Sequence, residues 1–352
     1  MRRLISGSGV LRRLGLWLVL VLVTVGLAVV SPTFRTALNL ENILDQTSLL
    51  GIVACGMAVM MISGGFDLSV GAVGAAASVV GAVVSARYGT PVTIAAGLAV
   101  GLVVGLLNGV LIARIRINAF VATFAMASIV SGLLFTLTDA QSFVGAPPLL
   151  ATVATERVAG VPVIFLMFGA VLALTWFVLT RTKYGHYIYS VGGNAEASYL
   201  SGVPVRRVQI FAFALGGVLA ALAGLLLLGQ TQVGQPSAAQ SWPLNAIAIC
   251  VVGGVALTGG IGRIEDVLAA TLLLGVIANG LNQLNVSPYW QPAITGLVIL
   301  AAVVLDQYNR LRQRRAPVHP NDSGAPPATA DAPGPVVDEP TPGTARSTTL
   351  AL

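Results

Sequence analysis

Long apolar segments alternate with short polar ones from residue 15 to residue 305. Each has about 20 residues, which at 1.5 Å per residue matches a hydrocarbon core roughly 30 Å thick. The segments are apolar throughout, whereas strands of a membrane barrel would alternate apolar and polar positions. The pattern predicts an all-α membrane protein with about ten transmembrane helices. The predicted spans are residues 15–31, 43–63, 70–86, 91–113, 119–138, 162–180, 208–229, 244–258, 264–284 and 290–305.

The spans divide the chain into three parts. Residues 1–14 are a short N-terminal segment, residues 15–308 the transmembrane domain and residues 309–352 a tail. The first apolar segment has the basic start of a signal peptide, but no small-residue cleavage site follows, so we expect it to remain as a span. The tail is rich in Pro, Ala, Thr and Gly, and we expect it to be disordered because it has too little apolar surface to bury.

Composition and charge agree with this topology. Hydrophobic residues make up 56% of the chain and charged residues 9%, and the isoelectric point is about 9.8. The basic residues lie at the ends of apolar segments, as the positive-inside rule requires, so the high isoelectric point does not indicate nucleic-acid binding. With a cytoplasmic N-terminus, 16 of the 19 arginine and lysine residues fall inside and 3 outside. We therefore expect both termini in the cytoplasm.

Two glycine motifs indicate an internal repeat. GGFDLSVG at 64–71 resembles GGVALTGG at 253–260, and each half continues to an Asn-Gly pair, at 108–109 and at 279–280. Paired glycines interrupt a helix, and the hydroxyl of Ser69 can cap the next one. Such repeats are typical of transporters.

Small residues also repeat at helical spacing. Glycines stand four apart from Gly97 to Gly109, and small residues occupy positions 216, 220 and 224. Both spacings place the small residues on one helical face, where another backbone can approach closely. We interpret both stripes as packing within one subunit rather than as a subunit interface.

Polar residues in the apolar spans are the candidates for function. Asp67 has no counterpart in the second motif, where Ala256 stands, and an intramembrane carboxylate is a functional candidate; the alternative is a cap or an ion pair at the cytoplasmic edge. The uncharged polar residues suit either hydrogen bonds between helices or a path for a hydroxylated solute. They are Asn108, Asn118, Thr123, Asn245, Asn279 and Asn282.

The longest strongly basic segment between two spans is residues 181–207. Gly192-Gly193-Asn194 offers a turn and an N-cap, which predicts a short helix from Ala195 to Leu200 that ends at Ser201-Gly202. Glu196 lies in its first turn, where a negative charge favours the helix dipole. An ordinary positive-inside loop would need the arginines but not a helix framed by 192–194 and 201–202. We therefore interpret this segment as a rigid lever that docks a partner.

The sequence contains no recognisable metal-binding or nucleotide-binding motif. Its two cysteines lie inside apolar segments and its two histidines are far apart, so no metal site is expected. The only lysine, Lys183, is not part of a G-x-x-x-x-G-K-[ST] motif. We therefore expect no catalytic residue and no cofactor of its own.

Four segments resemble the permease subunits of bacterial sugar ABC importers of the ribose, xylose and galactoside type. They are ISGGFDLSVGA at 62–72, LLNGVLIARIRINAFVATFAM at 106–126, YGHYIYSVGGNAEASYLSGVPV at 184–205 and GGVALTGGIGR at 253–263. The likeness covers residues 40–308, nearly all of the predicted membrane domain.

The resemblance implies a type II ABC importer fold, with two permease subunits, as a homodimer, around one path for a monosaccharide in the bacterial inner membrane. It also implies a cytoplasmic ATPase subunit that binds ATP and Mg²⁺, and an extracytoplasmic sugar-binding protein. The residues it implies for coupling to the ATPase are Gly193, Asn194, Glu196, Ala197 and Gly202. The residues expected to line the substrate pathway are Phe66, Asp67, Ser69, Asn108, Thr123, Asn245 and Asn279.

Three alternatives remain open at this point. A branched-chain amino-acid ABC permease shares the general pattern, although a zwitterionic substrate would favour charged groups in the path. An ion-coupled secondary carrier would need intramembrane ionisable pairs, and Asp67 stands alone. A non-transporting scaffold would leave the predicted helix of the basic segment without a role.

Overall fold

The computed structural model describes residues 7–290 without a break and six positions between 293 and 304, with side chains from residue 14 onward. The predicted tail at 309–352 lies outside the described residues, as does most of the predicted span at 290–305. The helices are α1 (Gly7–Val30), α2 (Ala37–Ile62), α3 (Val70–Ser85), α4 (Thr90–Ala113), α5 (Ala119–Thr138), α6 (Pro148–Thr155), α7 (Val163–Arg181), α8 (Lys183–Gly193), α9 (Ala195–Leu200), α10 (Val205–Thr231), α11 (Trp242–Val252) and α12 (Ile264–Gln283).

Helices α2, α4, α5, α7, α10 and α12 are long and apolar enough to cross a membrane, and α3, α11 and most of α1 are shorter apolar helices. The prediction of an all-helical membrane protein is confirmed. The predicted span at 244–258 is wrong in extent. Helix α11 ends at Val252 and has 11 residues, about 16 Å, because the glycines that follow it end the helix.

Helix α10 lies at the centre of the bundle and packs against α2, α3 and α4. Its contacts are close because both partners have small residues where they meet. A Cβ added to Gly101 of α4 would overlap the carbonyl oxygen of Gly217, and a Cβ on Gly224 would overlap the backbone of Gly74 in α3. Both small-residue stripes therefore pack within this subunit, as predicted.

The connection at 139–161 is partly structured. Helix α6 begins at Pro148, where proline fits the first turn of a helix because its missing N–H would have no partner there. Short antiparallel strand pairs surround it. They are β1 (Phe143–Val144) with β4 (Val233–Gly234), and β2 (Arg157–Val158) with β3 (Val161–Pro162).

The basic segment is helical over most of its length. Beyond the predicted α9, it contains α8, whose buried residues are Gly185, Ile188 and Val191. Sequence reasoning missed α8, although the three- and four-residue spacing of Tyr184, Ile188 and Val191 is a helical signal.

Candidate functional site

Helix α2 ends in a glycine cap. Gly64 has a φ of +96°, a left-handed conformation that glycine adopts without a steric penalty. The N–H of Gly64 donates to the carbonyl of Met61 and that of Gly65 to the carbonyl of Met60, each at 3.0 Å. These are the two bonds of a Schellman motif. Residues 64–69, the first helix break, then separate α2 from α3.

Asp67 lies in the first helix break and is only 1% exposed. Its Oδ1 accepts hydrogen bonds from the backbone N–H and the hydroxyl of Ser69, each at 2.6 Å. Asn108 of α4 donates from Nδ2 to Asp67 Oδ2 at 3.1 Å and to Ser69 Oγ at 2.9 Å. The prediction that the Ser69 hydroxyl caps α3 is wrong, because this hydroxyl donates to Asp67 instead. We call these three residues the Asp67 network.

Helix α5 also holds the first helix break. Thr123 Oγ1 accepts from the N–H of Leu68 at 3.1 Å and donates to the carbonyl of Ala119 at 2.8 Å. The half-buried ring of Phe66 meets Phe120 edge to face, with 6.4 Å between centroids. Five of the seven residues expected along the pathway therefore come together around one helix break.

The other two expected pathway residues lie elsewhere. Asn279, near the end of α12, exchanges two amide hydrogen bonds of 2.9 and 3.0 Å with Asn39 in the first turn of α2. Gln283 also donates to Asn39, at 2.7 Å. Asn245 is half-buried in the first turn of α11, and its side chain makes no hydrogen bond to the residues that the structure describes.

A second helix break, residues 253–263, separates α11 from α12 and begins as the first one does. Gly254 has a φ of +82°, its N–H donates to Val251 at 2.9 Å, and the next N–H, of Val255, donates to Cys250 at 2.8 Å. By its hydrogen bonds, Gly254 is thus the counterpart of Gly64. The caps support one part of the repeat, shifted by one residue from the alignment of the two motifs.

The Asn-Gly part of the predicted repeat is wrong. Asn108 lies in α4, the second helix after the first break, whereas Asn279 lies in α12, the first helix after the second break. The two asparagines are therefore not in corresponding helices. The match arose because a dipeptide is too short to establish a repeat. Among the predicted spans, too, Asn108 lies in the second one after its glycine motif and Asn279 in the first.

The two breaks meet at the C-terminal end of α8. Gly260 of the second break donates its N–H to the carbonyl of Ile62, the last residue of α2, at 2.9 Å. A Cβ on Gly192 would overlap that same carbonyl oxygen, and a Cβ on Gly259 would stand 2.8 Å from the Cα of Gly64. We call these four glycines, with the Ile62 carbonyl, the glycine junction. It admits no side chain larger than hydrogen at Gly192.

Side chains of α7 and α8 fix the end of the second break. Tyr189 donates its hydroxyl to the carbonyl of Gly262 at 2.9 Å, and Trp176 donates its indole N–H to Glu265 at 3.0 Å. Burial raises the pKa of Tyr189, the charge of Glu265 raises it further, and Arg263 opposes both. The tyrosine therefore stays a donor at neutral pH.

Helix α9 follows the C-terminal end of α8, and all its residues except Ser198 are exposed. Asn194 ends α8 and caps α9, accepting from the N–H of Ala197 at 2.9 Å, and Gly202 closes the helix at a φ of +81°. The predicted helix from Ala195 to Leu200 is confirmed. Tyr199 and Leu200 are 71% and 79% exposed, and sequence reasoning did not select them. Large apolar side chains at an exposed helix end were the available signal.

These parts form one continuous series of contacts. The exposed α9 follows α8 directly at Asn194, α8 packs its Gly192 into the glycine junction, and the junction includes Gly64, three residues before Asp67. Backbone contacts therefore connect the exposed α9, through α8 and the glycine junction, to the break that holds Asp67.

Comparison with known proteins gives one family. The profile of the family described as branched-chain amino acid transport system, permease component, matches residues 39–303. The ribose import permease protein of Haemophilus influenzae is 37% identical over 297 residues, covering 83% of this chain and 92% of that protein.

Two proteins of Escherichia coli K12 are similarly related. Its ribose import permease protein is 38% identical over 314 residues, which is 87% of this chain and 96% of that protein. Its L-arabinose transport system permease protein is 38% identical over 301 residues, which is 85% of this chain and 92% of that protein. No solved structure matches this chain.

Proposed function

This chain belongs to the family of permease components of branched-chain amino acid transport systems, and we propose that it is the membrane-spanning permease subunit of an ATP-driven monosaccharide importer. The relatives described above bear the names of two pentoses, ribose and L-arabinose, and match along nearly their whole length. A pentose, or a hexose or polyol of similar size, is therefore favoured over the branched-chain amino acid of the family description.

The glycine junction is the observation that carries the proposal. In an ATP-driven importer, a permease without a nucleotide-binding motif receives work from its ATPase, and it needs a rigid route from the cytoplasmic surface into the membrane. Helix α8 meets both helix breaks through backbone atoms, at Gly192. We propose that an ATPase subunit, which binds ATP and Mg²⁺, binds α9. Movement of α9 is then transmitted by the glycine junction to the two helix breaks.

The docking surface for the ATPase is proposed to be α9 and its ends. It comprises the expected coupling residues Gly193, Asn194, Glu196, Ala197 and Gly202, with Tyr199 and Leu200 added. All seven are exposed. Tyrosine is enriched among the residues that dominate binding energy at interfaces, and the buried centre of an interface is depleted of charged residues.

The remaining architecture is proposed from the family and the charge pattern. Ten spans with both termini in the cytoplasm, in a type II importer fold, place α9 on the cytoplasmic side. A second copy of the permease completes the path, and an extracytoplasmic sugar-binding protein delivers the solute. Phe66, Asp67, Ser69, Asn108 and Thr123 would then control the path near its cytoplasmic end, since they surround the first break.

The coupling proposal predicts that Leu200→Asp separates the permease from its ATPase. Leu200 is 79% exposed, so the change should leave the fold intact while placing a charge where an apolar contact is needed. We expect association with the co-expressed ATPase to weaken at least about tenfold, as for loss of an interface hot spot. ATP-dependent uptake of radiolabelled D-ribose or L-arabinose should fall in parallel, with normal amounts of permease in the membrane.

Val158→Asp is the matched control for ATPase association. Val158 is also an exposed apolar residue, at 58%, but it lies in β2 rather than near α9. It should bind the ATPase as the wild type does. Normal association and uptake in Leu200→Asp would contradict the coupling role of α9. Uphill sugar uptake by the purified permease alone, driven by an ion gradient, would instead identify a secondary carrier.

A further inference from the structure

The segment between α10 and α11 follows an unusual course. Strand β4 places Gly234 against Ser78 and Val79 of α3, and a Cβ on Gly71 would overlap the carbonyl oxygen of Ala239. Residues 235–241 therefore run along α3 from its middle toward its first turn. They contain turns but no helix or strand, and Ala239 has a φ of +62°.

The contacts of α3 give the depth of this segment. Helices α3 and α10 run in the same direction, because Gly74 meets Gly224 and Gly81 meets Leu228. Gly224 is seven residues before the end of α10 at Thr231, which is about 10 Å. Ala239 lies beside Gly71, about one turn deeper still. The segment thus turns back about 10–15 Å below the end of α10, well inside a hydrocarbon core roughly 30 Å thick.

Polar side chains of this segment are exposed at that depth. Gln235, Ser237, Gln240 and Ser241 are all exposed, whereas Pro236 is buried. By contrast, α7 exposes apolar residues, as expected for a surface in contact with lipid; Leu174 is 61% exposed. Non-helical backbone at membrane depth is tolerated where it is buried in protein or lines a water-filled cavity. This subunit leaves these polar side chains exposed, so of the two cases the described residues support the second.

The side chains of this segment favour an uncharged solute. Residues 235–245 contain amides and hydroxyls but no ionisable side chain. An amide both donates and accepts, as the hydroxyls of a sugar do, whereas a zwitterionic amino acid requires opposite charges or several dipoles. Asn245 lies one turn after Ser241 and donates its backbone N–H to the Ser241 carbonyl, so both occupy the same side of α11.

From this placement we propose that residues 235–241 are a re-entrant segment that lines the aqueous path and binds the hydroxyls of the passing sugar. Ser237, Gln240 and Ser241 would make the contacts, with Asn245 at the deep end. The proposal rests on the proposed function, because it assumes a permease with an aqueous path. It deepens that function by naming side chains that the sugar meets outside the Asp67 network.

Cysteine labelling tests the aqueous exposure without measuring transport. The chain has two cysteines, Cys55 and Cys250, and both are completely buried, so an introduced thiol can be labelled selectively. Ser237→Cys and Gln240→Cys should react with a charged, membrane-impermeant maleimide in the assembled transporter. Leu174→Cys on the apolar face of α7 is the control. We expect the two path thiols to react at least about tenfold faster, since a thiol in apolar surroundings does not ionise.

Sugar uptake tests the contact itself. Gln240→Leu keeps the approximate size of the side chain but removes its hydrogen bonds, and we expect about tenfold lower uptake of D-ribose or L-arabinose at subsaturating concentration. Gln46→Leu makes the same change at an exposed position of α2 and should transport normally. Uptake by Gln240→Leu equal to that of Gln46→Leu would overturn the proposed contact.

The outcomes separate this inference from its premise. Absence of sugar uptake by the wild-type transporter would overturn the proposed function and this inference with it. Normal wild-type uptake with unreactive thiols at 237 and 240 would overturn the re-entrant path alone. Fast labelling together with reduced uptake by Gln240→Leu would support it.

Discussion

The two helix breaks begin with the same hydrogen bonds and then differ in what holds them. After Gly64, the first break places Asp67 in a buried network with Ser69 and Asn108. After Gly254, the corresponding position is Leu257, which is 41% exposed. In the second break, Gly260 donates to the carbonyl of Ile62, and the carbonyl of Gly262 accepts from Tyr189 of α8.

This difference shows that ending a helix and fixing the break to neighbouring helices are two separate requirements. A helix break needs only a residue in the left-handed conformation, which both motifs supply. Fixing the break to neighbouring helices needs side chains, and only the first break has a buried carboxylate for this purpose among the residues that the structure describes. We therefore expect the first break to be the more rigid one, and the second to respond more readily to movement of α8.

Replacement of Gly192 by alanine should have the largest effect, since it disturbs the point where both breaks meet. The new Cβ would overlap the Ile62 carbonyl oxygen and would stand 2.5 Å from the backbone nitrogen of Gly260. Overpacking typically costs 1–3 kcal/mol, and backbone obstacles cannot rotate away, so we expect a loss of about 3 kcal/mol or more. Thermal unfolding in detergent and the yield of folded protein would measure it.

Gly193→Ala is the matched control for stability. It makes the same change at the next residue, where a Cβ would meet no atom within 4 Å and φ is not positive. Its unfolding temperature should stay within a degree or two of the wild type, since no contact is lost. Equal unfolding temperatures for both alanine variants would show that α8 does not press on the two breaks.

Removal of the Asp67 carboxylate should destabilise the first break selectively. Asp67→Ala leaves the Asn108 amide and the Ser69 donors buried without their acceptor, which costs about 2 kcal/mol. Leu257→Ala changes the corresponding position of the second break, where the side chain is 41% exposed, and should cost less than about 1 kcal/mol. Parallel thermal unfolding of the two variants measures the difference.

The asparagine variant sharpens this comparison. Asn108 Oδ1 is buried and has no hydrogen-bond partner among the described residues. In Asp67→Asn the new amide could donate to that oxygen once the Asn108 amide rotates, so this variant should retain more stability than Asp67→Ala. An Asp67→Ala protein that unfolds at the wild-type temperature would show that the Asp67 network does not stabilise the break.

The apolar helices and α9 were predictable from the sequence because their signals are local. Apolar segments of about 20 residues located nine of the apolar helices, and the Asn194 cap with Gly202 located α9 to the residue. The extent of α11 was not predictable in this way. Its glycines are consistent with either a cap inside the membrane or a loop at its surface, and only packing against Gly192 decides between them.

The partners of the polar side chains could not be predicted from one sequence. Asp67 and Asn108 are 41 residues apart, and Asn39 and Asn279 are 240 apart. These pairs depend on which helices are neighbours, whereas periodicity reports only which face of a helix is apolar. The sequence therefore predicted these residues as candidates, but not that Asn108 and Asn279 belong to two separate hydrogen-bond networks.

The smallest effect should come from Tyr189→Phe, which removes one hydrogen bond from the second break and leaves the ring in place. Tyr189 donates to the Gly262 carbonyl at 2.9 Å, and loss of such a bond costs about 1 kcal/mol. Because burial raises its pKa, the contribution should be fully present below the ordinary tyrosine value of about 10 and lost only as the pH rises through the higher folded value.

The measurement is thermal unfolding of wild type and Tyr189→Phe between about pH 6 and pH 9, where the tyrosine is neutral in both the folded and the unfolded chain. The difference between the two proteins should stay constant over this range. It should also be smaller than the loss in Asp67→Ala, because Phe leaves one carbonyl without a donor, whereas Ala leaves several donors without an acceptor. A larger loss in Tyr189→Phe than in Asp67→Ala would reverse the order of the two breaks and make the second the more firmly held.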